Sequence, residues 1–227
     1  MRKILNLIYS KLYAHFGPQF WWPAQTAFEV IVGAILTQNA SWSNVEKAIA
    51  NLKKHKLLEP RKIYSLKQGT LAQLIRSSGY YNIKARRLKE FLKFFINNYG
   101  ASIKKISKVK FSILRQELLS IKGIGPETAD SILLYALNKP IFVVDAYTKR
   151  IFSRHKLLRD AASYAEAQDL FMAELKKDTK LFNEYHALLV ALAKAYCSKS
   201  RPKCSVCPLD FSSKFWYNNY KVNCNDK

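Results

Sequence analysis

Acidic side chains are scarce in this chain: 16 Asp and Glu stand against 38 Lys and Arg, leaving a net charge of +22 and a pI near 9.9. Such an excess is more than solubility requires. It favours a polyanionic partner, nucleic acid first, with an acidic protein or the ribosome as the alternative. Long apolar runs are missing too, and none reaches the length of a membrane span. The N-terminal stretch Met1 to Lys11 resembles a signal peptide only superficially. Asn6, Ser10 and Lys11 interrupt it, while Ile4, Leu5, Ile8 and Leu12 share one helical face, so it reads as the first helix of a cytoplasmic protein. Strand signals are nearly absent, and no internal repeat or low-complexity linker is found. No phosphate-binding GK[ST] loop, Gly-rich dinucleotide fingerprint or Ser-His-Asp arrangement stands out, which argues against enzymes built on those motifs.

What remains is a helical protein. With 227 residues, 49% of them hydrophobic, the chain is long enough to bury a core in one or two compact lobes. Ser43-Asn44-Val45-Glu46 predicts a capping box for a helix through about Lys54. Asn82 predicts the start of a long helix ending at Tyr99 with Gly100 as its stop, and 183–197 is strongly apolar-periodic. His186 lies on that last helix and reads as a core or interface histidine. Lys84-Ala85-Arg86-Arg87 and the lysines from Lys104 to Lys110 form basic clusters, suited to backbone phosphates or to a solvated helix face.

The most informative stretch is Leu118 to Thr148. Gly123-Ile124-Gly125 separates two amphipathic patterns, Leu114, Leu118 and Ile121 before it and Ala129, Ile132, Leu133 and Ala136 after it, and Pro126 suits the first position of the second helix. A helix-hairpin-helix of this kind presents amide N–H groups to a phosphate, with Lys122 beside them. A GxG turn alone also fits an ordinary helical hairpin. After Asn138-Lys139-Pro140, the run Ile141-Phe142-Val143-Val144 reads as a buried extended connector into Asp145, placed at the N-cap of the next helix. A helix N-terminus holds a carboxylate ionised and aimed, so capping and catalysis are compatible.

With these motifs the chain resembles the helix-hairpin-helix superfamily of DNA glycosylases, in its endonuclease III-like group. The resemblance runs through Leu36-Thr37-Gln38-Asn39, then Ser78 to Ala85, the hairpin, Val143-Val144-Asp145 and a cysteine-bearing tail. It implies an all-α fold of two helical lobes with a DNA-binding cleft between them, one lobe from 24–136 and the other from 1–23 plus 137–227. It further implies that Asp145 is the catalytic carboxylate, that Gln38 and Tyr80 fill the gap left by a flipped base, and that Lys122, Gly123 and Gly125 grip the DNA backbone.

One departure bears on the reaction. Members that also cleave the strand carry a lysine four residues after the first hairpin glycine, where this chain has Glu127. A carboxylate cannot form an imine, so the expectation is a monofunctional N-glycosylase that leaves an abasic site. Phe20-Trp21-Trp22-Pro23 precedes the helix that leads to Gln38, and Trp42 follows it. Here the similarity is to the 3-methyladenine glycosylase branch, which implies a base pocket of Trp22, Pro23 and Trp42. The physics agrees: an N-alkylated purine is cationic and already a good leaving group, so stacking, cation-attracting rings plus one carboxylate suffice. The rivals are a bifunctional glycosylase/AP lyase for oxidised pyrimidines and a non-catalytic protein that binds distorted DNA.

Cys197, Cys204 and Cys207, spaced C-x6-C-x2-C, match three ligands of the family's [4Fe-4S] cluster. The fourth ligand position holds Ser213, and the remaining cysteine is Cys224. Four thiols in a cytosolic chain favour a metal centre over disulfides. The alternatives are a cluster completed by Cys224, a zinc site, or no metal, as in some members of the 3-methyladenine branch. The expected setting is a cytoplasmic, nucleoid-associated monomer acting on double-stranded DNA that contains a damaged base, without a membrane partner.

Overall fold

In a computed structural model the described residues are 1–20 and 24–210. Every regular element among them is helical. In chain order they are α1 (Arg2–Phe16), α2 (Ala27–Leu36), α3 (Trp42–Lys54), α4 (Pro60–Ser65), α5 (Gln68–Leu74), a 3-10 turn (Arg76–Ser78), α6 (Tyr81–Tyr99) and α7 (Ile103–Ser107). There follow α8 (Phe111–Ser120), α9 (Pro126–Ser131) running into a π-helical turn (Ile132–Ala136), α10 (Ala146–Arg154), α11 (Tyr164–Met172), α12 (Thr179–Ala195) and a last 3-10 turn (Cys204–Val206). No helix of the described residues is long and apolar enough to cross a membrane.

The chain divides into two compact units, Trp22–Lys139 and Met1–Trp21 with Pro140–Lys227. These limits differ by two or three residues from the sequence reading of 24 and 136.

In the interior unit α2 is buried along its whole length, from Phe28 to Leu36, and packs against α3, α6, α9 and the π-helical turn. Its N-cap Thr26 accepts from the Glu29 amide. Phe28, Phe91 and Phe95 stack in its core. Two helix starts differ from the sequence reading. α3 begins at Trp42 rather than after Ser43, because the Ser41 carbonyl already accepts from the Asn44 and Val45 amides at 3.1 and 3.3 Å, which puts Ser43 inside the helix, where its hydroxyl bonds that of Ser41. α6 begins at Tyr81, with Tyr80 rather than Asn82 at its N-cap, and ends as expected at Gly100, whose φ of 64° closes the helix.

In the other unit α12 packs against α1 and α10. Tyr185 donates its hydroxyl to the Leu5 carbonyl at 2.8 Å, tying α12 to α1. Phe142, Phe152, Phe171, Phe182 and Tyr185 interlock as a fully buried ring cluster. The Ile141–Val144 connector is buried, as its composition predicts, and delivers Asp145 from this cluster to the start of α10.

Candidate active site

Asp145 caps α10 with one carboxylate oxygen. Its Oδ1 accepts from the Thr148 amide at 2.7 Å and from the Thr148 hydroxyl at 2.9 Å, which fixes the plane of the carboxylate. Its Oδ2 stands 3.5 Å from Nε2 of His186 on α12, and the Asp145 side chain keeps 15% of its surface exposed. Burial acts to raise its pKa, but the neighbouring His186 ring and the two Thr148 bonds outweigh it and hold the carboxyl below its ordinary value. The group is therefore an anion at neutral pH, oriented by its own helix. The apolar periodicity of α12 marks His186 as buried and does not mark its neighbour; that pairing needs the tertiary fold.

The helix that Asp145 caps, α10, also holds the cysteine segment. Arg150 donates through Nε to the Cys197 carbonyl at 2.9 Å, and the Arg154 guanidinium reaches Cys197 Sγ at 3.2 Å and the Ser198 and Lys199 carbonyls at 2.7 Å each. Burial pushes the Cys207 thiol up to about 11. Among the described residues no three His, Cys, Asp or Glu side chains gather as a metal-binding set. Cys224 and Ser213 lie outside the described residues, so the cluster and zinc readings stand on spacing alone.

In the interior unit the hairpin forms as the glycine spacing predicts. Gly123 adopts φ +93°, and a Cβ there would lie 2.4 Å from Cγ of Arg87. Gly125 is extended at φ −92°, caps α9, and a Cβ there meets nothing within 4 Å. Among the described residues no backbone carbonyl outside the helices accepts from the Gly123 or Gly125 amide. Lys122 and Glu127 are both exposed beside the turn.

Gln38 is bound into this unit. Its Nε2 donates to the Gly123 carbonyl at 3.0 Å and to Thr128 Oγ1 at 2.9 Å, and its Oε1 accepts from Arg87 at 2.5 Å. Tyr80, by contrast, is 69% exposed and holds φ +45°, a left-handed conformation uncommon for a non-glycine residue. Trp42 is partly exposed at the first position of α3. Trp22 and Pro23 lie outside the described residues. Lys84, read from sequence as part of a basic surface cluster, is instead 1% exposed. Helical spacing puts it on the same stripe as Leu88, Phe91 and Phe95, whereas Arg86 points to solvent.

Residues 32–177, more than half of the chain, match the HhH-GPD superfamily base excision DNA repair protein family. A protein of Methanocaldococcus jannaschii, provisionally named a DNA repair glycosylase, is 52% identical over 91% of this chain and 94% of its own. The fold is similar to that of the H. pylori 3-methyladenine DNA glycosylase MagIII bound to 1,N6-ethenoadenine. There the TM-score is 0.73 at 30% identity, covering 85% of this chain and 96% of that one. It is also similar to endonuclease III in a non-covalent DNA complex, with a TM-score of 0.80 at 21% identity, covering 97% and 99%. An oriented carboxylate at a helix N-cap, a glycine hairpin and these likenesses agree: the chain belongs to the HhH-GPD superfamily of base excision DNA repair proteins and is a DNA glycosylase.

Proposed function

We propose that this glycosylase is monofunctional and releases an alkylated purine, such as 3-methyladenine, from double-stranded DNA. The observation that carries the reading is the Asp145 carboxylate, ionised and fixed by Thr148, with Glu127 at the hairpin position where strand-cleaving members hold a lysine. In the proposed reaction the bond between C1′ and the base nitrogen lengthens, the base departs with the bonding pair, and the sugar gains oxocarbenium character. Asp145 stabilises that positive charge and aligns or deprotonates the water that adds to C1′, leaving an abasic site. An N-alkylated purine leaves as a neutral molecule and needs little protonation. Tyr80 enters the gap behind the flipped base, and Trp42 contributes an aromatic face with Trp22 and Pro23.

The second reading is an endonuclease III-type glycosylase/AP lyase for oxidised pyrimidines, favoured by the higher TM-score to endonuclease III. Duplexes carrying methylated purines and oxidised pyrimidines, assayed in parallel, separate the two. The proposal expects free 3-methyladenine, strand breaks only after alkali, and no protein–DNA adduct trapped by borohydride. Breaks without alkali on the pyrimidine duplex would transfer the assignment to a lyase, and silence on both would leave a different lesion as the substrate, or a binding protein.

The hairpin glycines give a second test. Gly123→Ala is strained twice, by φ +93° and by the Arg87 side chain, and is expected to cost about 1–3 kcal/mol of stability in urea unfolding. Gly125→Ala adds a methyl in open space at an ordinary φ, so stability should stay within about 0.5 kcal/mol. If a phosphate approaches there, DNA affinity should nevertheless fall about tenfold, read by fluorescence anisotropy. Unchanged affinity in Gly125→Ala would remove the phosphate from that position.

A further inference from the structure

Lys84 is a fully buried ammonium with two carbonyls as its acceptors. Its Nζ donates to the Leu36 carbonyl at 2.7 Å and to the Ser78 carbonyl at 2.6 Å, and among the described residues no carboxylate pairs with it. Burial first, and the nearby Arg87 charge second, bring its pKa down to about 8. An apolar side chain would fill the same volume without that desolvation penalty. The two acceptors explain what the ammonium adds.

Leu36 is the last residue of α2 and Ser78 the last of the 3-10 turn, so both carbonyls belong to helix ends that lack an intrahelical donor. Just beyond each one the backbone turns through left-handed space: Asn39 at φ 51° after the first, Gly79 at 69° and Tyr80 at 45° after the second. Gln38 lies on the first of these segments and Tyr80 on the second. One helical turn along α6, Arg87 donates to the Gln38 amide and lies against Gly123, which adds the hairpin to the same assembly.

We infer that Lys84 and Arg87 are positioning residues that hold three segments, 36–40, 78–80 and the 121–125 hairpin, at fixed spacing, so that Tyr80 is presented to DNA as a preformed wedge. The inference rests on the proposed role of Tyr80 in filling the gap left by the flipped base. Strained, exposed segments of this kind keep one conformation only where neighbours over-determine it. Lys84 supplies one tie to each of two segments, and Arg87 links the third.

The test uses the full chain and a duplex with a tetrahydrofuran abasic analogue opposite 2-aminopurine, whose fluorescence reports unstacking. Anisotropy on the same duplex and on undamaged DNA gives both affinities. The wild type should change the 2-aminopurine signal at saturation, and Tyr80→Ala should abolish the change. Lys84→Met and the more exposed Arg87→Met each remove a positive charge, so both are expected to bind undamaged DNA somewhat more weakly than the wild type, and the reading is the ratio of the two affinities. Their preference for the abasic duplex should fall about tenfold, or about 1.4 kcal/mol, with most of the fluorescence change lost even when the site is saturated. A side chain that only supports folding would lower thermal stability and leave the saturated signal intact, and that result overturns the inference. Arg87→Met keeps the test decisive if Lys84→Met fails to fold. If the wild type itself gives no signal, or Tyr80→Ala retains it, the wedge reading falls and the inference with it. If both behave as expected and the two methionine variants match the wild type, the inference alone falls.

Discussion

Asp145→Asn is expected to lower the single-turnover rate of base release by on the order of 10³ while leaving the fold nearly unchanged. Asparagine is as good an N-cap as aspartate, and its carbonyl oxygen can still accept from the Thr148 amide and hydroxyl, the two bonds that Oδ1 accepts now. What disappears is the negative charge facing the developing cation. The stability effect should be within about 1 kcal/mol, since a conserved cap is set against lost attraction to the helix dipole and to the His186 side. Rate and melting temperature, measured on the same preparation, check the separation. Rate loss that merely tracks a fall in melting temperature would make Asp145 a structural cap and no more. The pH dependence has a definite sign. The folded carboxyl is held below its ordinary value, so its stabilising contribution is full above the ordinary carboxylate pKa and is lost as pH falls through the lowered folded value. No decline in base release between pH 7 and pH 5 should therefore come from protonation of Asp145.

The features legible in the sequence are those set by short-range periodicity. The apolar spacing of Ile4, Leu5, Ile8 and Leu12 gives α1, Gly100 stops α6, and the run Ile141–Val144 followed by Asp145 gives a buried connector and a capped helix. Each signal lies within a few residues of the structure it dictates. Side-chain partners across the fold are different. His186 is identifiable as buried, yet its approach to Asp145 depends on how α12 packs against α10. Gln38 resembles a DNA-contacting glutamine in its local motif, and only the fold shows its amide bonded to Gly123, Thr128 and Arg87. Lys84 is the instructive case. Read as a charge run, Lys84-Ala85-Arg86-Arg87 looks like one surface. Read at 3.6 residues per turn, residue 84 falls on the buried stripe of Leu88, Phe91 and Phe95, and the period carries the information that composition hides.

Phe142→Ala should produce the opposite profile to Asp145→Asn, a large loss of stability with little loss of chemistry at low temperature. The ring is fully buried and stacks on Phe171 at a centroid distance of 3.8 Å, with Phe182 and Tyr185 against its edges. Truncation leaves a cavity at the centre of that cluster, which costs about 3–5 kcal/mol and lowers the melting temperature by on the order of 10 °C for a chain of this size. Asp145 is only three residues away, but its position does not depend on the ring alone. The Phe142 amide donates to Met172 Sδ at 3.2 Å and its carbonyl accepts from Gln168 at 2.6 Å, so α11 pins the connector through backbone groups that alanine retains. Oδ1 of Asp145 is in turn held by Thr148 within its own helix. At 20 °C the single-turnover rate should thus stay within about tenfold of wild type, and it should collapse on warming well before the wild type does. A drop of a hundredfold or more at 20 °C in a still-folded variant would show that the ring cluster, rather than the α11 contacts and the helix cap, aims the carboxylate.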